Sequence, residues 1–415
     1  MKKCIYSLLV LLSVSCSDYL DVIPDNLATI ELLFNNRTTA ERFVSTCYSY
    51  IPEHANIISN FSLVAGDDIW YYTERDFYVN NEISFRLAKG LQNVNDPYCN
   101  YWEGRQGGTN IYIAIRDCNI FLENIKSIPG INVIEKARWI AEVKTLKAYY
   151  HFWLLQMYGP IPIIDKNVPV SSNTEATLVY RSSVEDVVKY IVSLIDDVVI
   201  SKGLPDSIQF VDTENGRITV PIAKAIKAKV LMLAASPLFN GNPDYSSFVG
   251  KDGKNLVNPV FDPLKWVAAK DACKDAVESA NSSGHKLYEF NKILPIVISP
   301  EIKTELTQRA TLTDKILNPE LIWGIGNGWT LDLQCWSQPR WTGDHVANFN
   351  WTKQSHAPTL NMVEDYYTSK GLPIDEDKTW DYTNRFNLVE TKTGTPLQAF
   401  HKYYIQKDFT TVNFH

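Results

Sequence analysis

No apolar run in this 415-residue sequence is long enough to span a bilayer as a helix, so no helical transmembrane segment is expected. A surplus of positive charge is missing too: 40 Lys and Arg stand against 47 Asp and Glu, giving a formal charge of −7. Such a surface repels phosphate backbones, and nucleic acid is not an expected partner. The chain has no HExxH, GxSxG or Walker loop, which removes the enzyme classes defined by those motifs. A glycosidase needs only two suitably placed carboxylates, so that class stays open. His54, His151, His285, His345, His356 and His401 are scattered without ligand spacing, and neither a metal nor another cofactor is expected.

Cysteine is sparse and unpaired in pattern. Beyond the first residues only Cys47, Cys99, Cys118, Cys273 and Cys335 remain, without CxxC spacing and odd in number. Most read as small core residues, with one disulfide open in an oxidising compartment and its partners undetermined. Apolar residues are plentiful, at 45% with 12% aromatic, enough to bury a large core.

The first 15 residues read as a secretory leader. Lys2 and Lys3 supply the charged start, Ile5 to Leu12 supply a short apolar stretch, and Ser13-Val14-Ser15-Cys16 resembles the lipobox of bacterial lipoproteins. Ser13 departs from that pattern, where an apolar residue is usual. Cys16 is the expected lipidated residue, its acyl chains anchoring a body that is otherwise water-soluble. Removing Lys2 and Lys3 with the leader makes the mature chain still more acidic.

After a tether over residues 16–37, Thr38 with Glu41 has the form of a capping box and predicts a helix to about Ile51. Residues 52–100 keep no sustained period and predict loops, among them Asp67-Asp68-Ile69-Trp70-Tyr71-Tyr72. Helical spacing returns between Tyr101 and Ile125, where Gly107-Gly108 can delay the start, and is stronger from Ile134 to Met157 before Tyr158-Gly159-Pro160 stops it. Ser182 with Glu185 predicts the next helix, through Val198. Pro221 opens an alanine-rich helix to about Ala235, and Asp262-Pro263 opens one that Gly284 ends. Trp102, Trp139, Trp153 and Trp266 fall on helical stripes and are assigned to the core.

The pattern is mainly α over residues 38–290, with long inserted loops and no regular repeat period; its successive helix pairs suggest a helical-repeat superhelix of tetratricopeptide (TPR) type, followed by an irregular aromatic-rich region over 291–415.

The segments in this order resemble the SusD/RagB family of Bacteroidetes surface lipoproteins. The resemblance rests on Cys16-Ser17-Asp18-Tyr19-Leu20-Asp21, the run Ala148-Tyr149-Tyr150-His151-Phe152-Trp153 up to Tyr158-Gly159-Pro160, and Arg181-Ser182-Ser183-Val184-Glu185-Asp186. It continues with Ala223-Lys224-Ala225-Ile226-Lys227-Ala228 and Ala357-Pro358-Thr359-Leu360-Asn361-Met362-Val363-Glu364-Asp365-Tyr366. Members usually continue further past that last segment, so a truncated C-terminus is one expectation. The resemblance implies a binding protein, lipid-anchored at the outer membrane and facing the cell surface. It would capture a nutrient glycan and pass it to a TonB-dependent transporter of SusC type.

Sugar rings have apolar C–H faces, which flat aromatic side chains cover while polar neighbours bond the hydroxyls. Two loop clusters have that composition: Asp67, Asp68, Trp70, Tyr71, Tyr72 and Arg75, and Trp329, Gln334, Trp336, Arg340, Trp341 and Asp344. Trp70, Tyr71, Tyr72, Arg75, Trp329, Trp336, Arg340 and Trp341 are the candidate ligand contacts. A lipid-anchored glycoside hydrolase and a scaffold that binds only protein remain the alternatives.

Overall fold

The computed structural model describes residues 34–53, 56, 61–71, 83–169, 172–291, 297–314, 318–324, 330–337, 356–380, 382–384, 388–390 and 404–406. Helices α1 (Arg37–Ser49), α2 (Phe61–Val64), strand β1 (Ile69–Tyr71) and α3 (Ile83–Ala88) come first. The long helices α4 (Ile111–Asn124), α5 (Val133–Tyr158), α6 (Val184–Ser201), the single turn α7 (Val211–Glu214), α8 (Val220–Ala235) and α9 (Pro263–Ser282) follow. The remainder comprises α10 (Pro300–Thr313), α11 (Thr330–Ser337), β2 (His356–Pro358), α12 (Leu360–Glu364), β3 (Leu388–Glu390) and β4 (Tyr404–Gln406). The fold is mainly helical and TPR-like, with neighbours packed in sequence: α4 on α5, α5 on α6, α6 on α8 and α8 on α9.

Helix α5 is the centre. At 26 residues it is about 39 Å long at 1.5 Å per residue. Residues 145–155 leave no wet face: Leu146, Ala148, Tyr150, Phe152, Leu154 and Leu155 are all buried, each large side chain contributing about 1.5–3 kcal/mol. Asn132 caps its start by accepting from the Glu135 amide at 2.8 Å. Its end is Gly159, whose φ of 65° places it in the left-handed region that glycine tolerates. Arg37 of α1 forks onto the Glu135 carboxylate at 3.1 and 2.6 Å and lies over the Trp139 ring, tying α1 to the start of α5.

The two glycines ahead of α4 do delay it, to Ile111. Gly108 passes so close to the Asn100 backbone that an added Cβ would lie 2.3 Å from the carbonyl carbon, so no larger residue fits. From Ile111 the stripe of Ile111, Ala114, Ile115, Cys118 and Phe121 is buried at helical spacing.

Three expectations need correction. The cap of α1 is Asn36, which accepts from the Thr39 amide at 3.0 Å, and Glu41 pairs with Arg37 where a reach back to Thr38 was predicted. The cap of α6 is Ser183, one residue after Ser182; its hydroxyl accepts from the Asp186 amide and donates to the Asp186 carboxylate. Trp266 is 45% exposed: α9 turns its small residues Ala269, Ala272 and Ala280 inward, which brings it close to α8 and leaves the indole outside. By contrast Trp139 and Trp153 are buried as expected, and Trp102 packs partly buried between Tyr112 and Tyr158.

Beyond the helical body, Trp323 anchors the chain by donating its indole N–H to the Gly216 carbonyl at 3.0 Å and setting its ring edgewise to Tyr149. Helix α10 was not foreseen. Ser299 caps it and Pro300 occupies its first turn, but its sequence is too polar for a clear apolar period.

Candidate functional site

Strand pairing sets the first aromatic cluster against β2, on which the helix carrying Trp336 packs. β1 and β2 run antiparallel with Ile69 opposite Pro358, Trp70 opposite Ala357 and Tyr71 opposite His356. The pairing is extended by Thr359, whose amide donates to the Asp68 carbonyl at 3.2 Å and whose hydroxyl donates to the Asp67 carbonyl. Thr359 also caps α12, accepting from the Met362 amide at 3.2 Å. One threonine thus fixes the end of β1 and starts the next helix. Helix α11 packs against β2, while α2 packs against β1 and α3.

An unbroken series of rings results. Trp70 meets Phe85 edge-on, with centroids 5.6 Å apart and planes at 82°. Phe85 lies 5.5 Å from His356 at 37°, and His356 stacks on Trp336 at 5.4 Å and 24°. Phe85 and His356 are buried, Trp70 is 37% exposed and Trp336 is partly exposed. The two inner rings are therefore a support, and the two tryptophans are the members of the series that reach solvent. Asp67 and Asp68, just ahead of β1, and Gln334, on α11, are exposed and carry groups that can bond hydroxyls.

Of the residues named from sequence, Trp70 and Trp336 are brought together on this support. Trp336 sits on helix α11 and Trp70 on strand β1, although loops were expected for both. Tyr71 is placed by its backbone in β1, opposite His356. Tyr72, Arg75, Trp329, Arg340 and Trp341 lie outside the described residues, as do Asp344 and the lipidation candidate Cys16. Sequence reading missed Phe85, His356 and Thr359. His356 was visible only as one of several scattered histidines, and nothing local marks it as a ring that supports another.

Two clusters of buried charge lie elsewhere, and both are bracing. Glu142 is fully buried on α5 and takes Arg138 at 3.0 Å and Arg217 at 2.9 Å, while Arg138 also reaches Glu214 at 2.7 Å. Burial drives the Glu142 carboxyl above its ordinary range against the pull of the two guanidinium groups. The group clasps α5, α7 and the loop that carries Arg217, and the next amide, Ile218, donates to the Tyr48 hydroxyl of α1 at 3.0 Å.

In the second cluster, Lys147 donates to the Asp165 carbonyl at 2.6 Å and meets its carboxylate at 3.3 Å. Burial pushes the lysine down from its ordinary value, with Asp165 opposing. Below it His151 is bonded through Nδ1 to the Lys147 carbonyl, and Nε2 accepts from the Ile164 amide at 3.3 Å. Complete burial holds this imidazole at about 4. These bonds fasten the segment after α5 back onto the body. Among the described residues no group of His, Cys, Asp and Glu could hold a metal ion, and no helix is long and apolar enough to cross a membrane.

The helical body and its aromatic edge define the class: a TPR-like helical scaffold with two partly exposed indoles at one edge. Residues 18–215 match the family model described as SusD-like, starch-binding and associating with the outer membrane. The solved structure of BT4246 is similar at 25% identity and a TM-score of 0.69, covering 90% of this chain and 63% of that one. A SusD-like protein (BF3747) from Bacteroides fragilis NCTC 9343 is similar at 18% identity and a TM-score of 0.59, covering 86% and 57% respectively. Surface glycan-binding protein A from Bacteroides thetaiotaomicron shares the fold at 14% identity and a TM-score of 0.50, covering 81% and 61%. No curated protein matches the sequence. The chain spans less than two thirds of the length of these solved structures. The chain is thus similar to SusD-like proteins, through the family model over residues 18–215 and through its fold over most of its length.

Proposed function

We propose that this chain captures a nutrient glycan at the outer-membrane surface through the platform formed by Trp70 and Trp336, and does no chemistry on it. The observation that carries the reading is the series of ring contacts from Trp70 through Phe85 and His356 to Trp336, which holds two solvent-reaching indoles from distant parts of the sequence on one buried pair of rings. A rigid aromatic covers the apolar face of a sugar at little entropic cost, and Asp67, Asp68 and Gln334 stand ready to bond hydroxyls. Tyr71, Tyr72, Arg75, Trp329, Arg340 and Trp341 belong to the same proposal as further contacts. The delivery route is a SusC-like TonB-dependent transporter, and a lipid on Cys16 holds the chain at the membrane. Family likeness supports both steps.

Incubation of the purified mature chain with soluble starch, laminarin and mannan tests capture against hydrolysis. Retardation in gels cast with one of these polysaccharides, without release of reducing sugar, is the expected result. Steady sugar release supports the hydrolase instead, and no retardation in any gel supports a scaffold that binds only protein.

A further inference from the structure

We propose that His356 is a positioning residue of the platform: with Phe85 it forms a buried two-ring spacer that fixes the separation and tilt of Trp70 and Trp336. The inference rests on the glycan-binding reading and adds to it a residue that touches no sugar. Phe85 is 0% exposed and His356 is 3% exposed, so neither ring can meet a polysaccharide. Each nevertheless lies against one of the tryptophans that can, and the two lie 5.5 Å from one another.

Why a spacer is needed follows from the elements that carry the indoles. Trp70 stands on a three-residue strand, and Trp336 stands near the end of an eight-residue helix. A two-stranded pairing this short is marginal by itself and fixes neither the distance to α11 nor the ring rotamers. A polysaccharide presents its apolar faces at a set repeat, so two platforms that drift relative to one another lose binding through the cost of ordering them. The near-parallel stack of His356 on Trp336, at 24°, removes that freedom on one side, and the edge-on contact of Phe85 with Trp70 removes it on the other.

A flat ring at position 356 is therefore the requirement, and its basicity is not. His356→Leu keeps comparable volume without a ring, and His356→Phe restores one. Both are compared as full chains with the wild type, Trp70→Ala and Trp336→Ala, on the polysaccharide gel that retards the wild type most among soluble starch, laminarin and mannan. The expected result is a dissociation constant raised about tenfold in His356→Leu and returned to within about twofold of wild type in His356→Phe, the size of effect a lost ring contact produces. Should His356→Leu fail to show a cooperative thermal transition, His356→Gln takes its place, with the same loss expected.

Wild-type affinity in the folded ringless variant, while Trp70→Ala and Trp336→Ala lose binding, overturns the role of His356 and leaves the glycan reading intact. A His356→Phe variant as weak as His356→Leu also overturns it. Unchanged binding in both tryptophan variants, or a wild type retarded by no gel, overturns the reading and the inference together.

Discussion

The imidazole of His356 lies flat against the indole of Trp336, their centroids 5.4 Å apart and their planes 24° from parallel. That contact joins β2 to α11, and through Phe85 it joins both to Trp70 on β1. An aromatic platform assembled from two ends of the sequence follows from it.

Truncating one platform indole should cost binding without costing the fold. Trp336→Ala is expected to weaken polysaccharide affinity about thirtyfold, the scale of a binding hot spot at about 2 kcal/mol, with little change in thermal midpoint because the ring is partly in solvent. Calorimetric titration beside a thermal melt checks both halves. Replacing Trp329, Trp336 and Trp341 together by alanine should abolish binding in a chain that still melts cooperatively.

Acid should weaken the helical body through His151. Its folded value of about 4 lies below the ordinary 6.5, because burial disfavours the cation. Between those values the unfolded chain holds a proton that the folded one refuses. Stability therefore rises with pH across the window, and a contribution of about 3 kcal/mol present above pH 6.5 is lost as pH falls to 4. Urea unfolding of wild type and His151→Asn at several pH values reads the effect as a shallower dependence in the variant. Parallel curves would exclude it.

Removing Glu142 should be more damaging than its single charge suggests. Glu142→Ala leaves the Arg138 and Arg217 guanidinium groups to share Glu214 as their remaining carboxylate and opens a gap beside the buried Tyr48 hydroxyl. A loss on the order of 2–3 kcal/mol is expected, since the arginines keep Glu214 and are partly in solvent. Glu142→Gln keeps hydrogen-bond acceptance and should lose less. Denaturant midpoints of the two variants make the comparison.

Cys47, Cys99 and Cys118 should ignore thiol reagents in the native chain. All three are buried, and burial pushes the Cys99 thiol up to about 11 and Cys118 well above its ordinary value. Ellman reagent at pH 8 should label them only after denaturation. Rapid native labelling of Cys118 would contradict the packing of α1 on α4.

The helical body was legible in the sequence wherever burial is one-sided or complete and the ends carry clear stops. The predicted stretch from Ile134 to Met157 differs from α5 by one residue at each end. Caps were less legible, because Asn36 and Ser183 stand close to Thr38 and Ser182 and any of these side chains can accept from a helix amide. Trp266 was misplaced since a stripe shows that a helix has two faces without showing which one a neighbour covers. On α9 the alanine face won, because small side chains allow the closer approach to α8.

The platform was only half legible. Composition picked out Trp70 and Trp336, but three-residue strands are too short to show alternation, and the pairing of Tyr71 with His356 spans most of the chain. Phe85 and His356 gave no local signal at all, since their role exists only once β1, β2, α3 and α11 are assembled.

Hydroxyl-radical footprinting, with and without a retarding polysaccharide, reads the central claim at individual side chains. Trp70 and Trp336 should be shielded by the bound glycan, while the exposed Trp266 on α9 keeps its full reactivity. Equal oxidation of Trp70 and Trp336 in the free and bound chain, with protection appearing at Trp266, would contradict the platform directly.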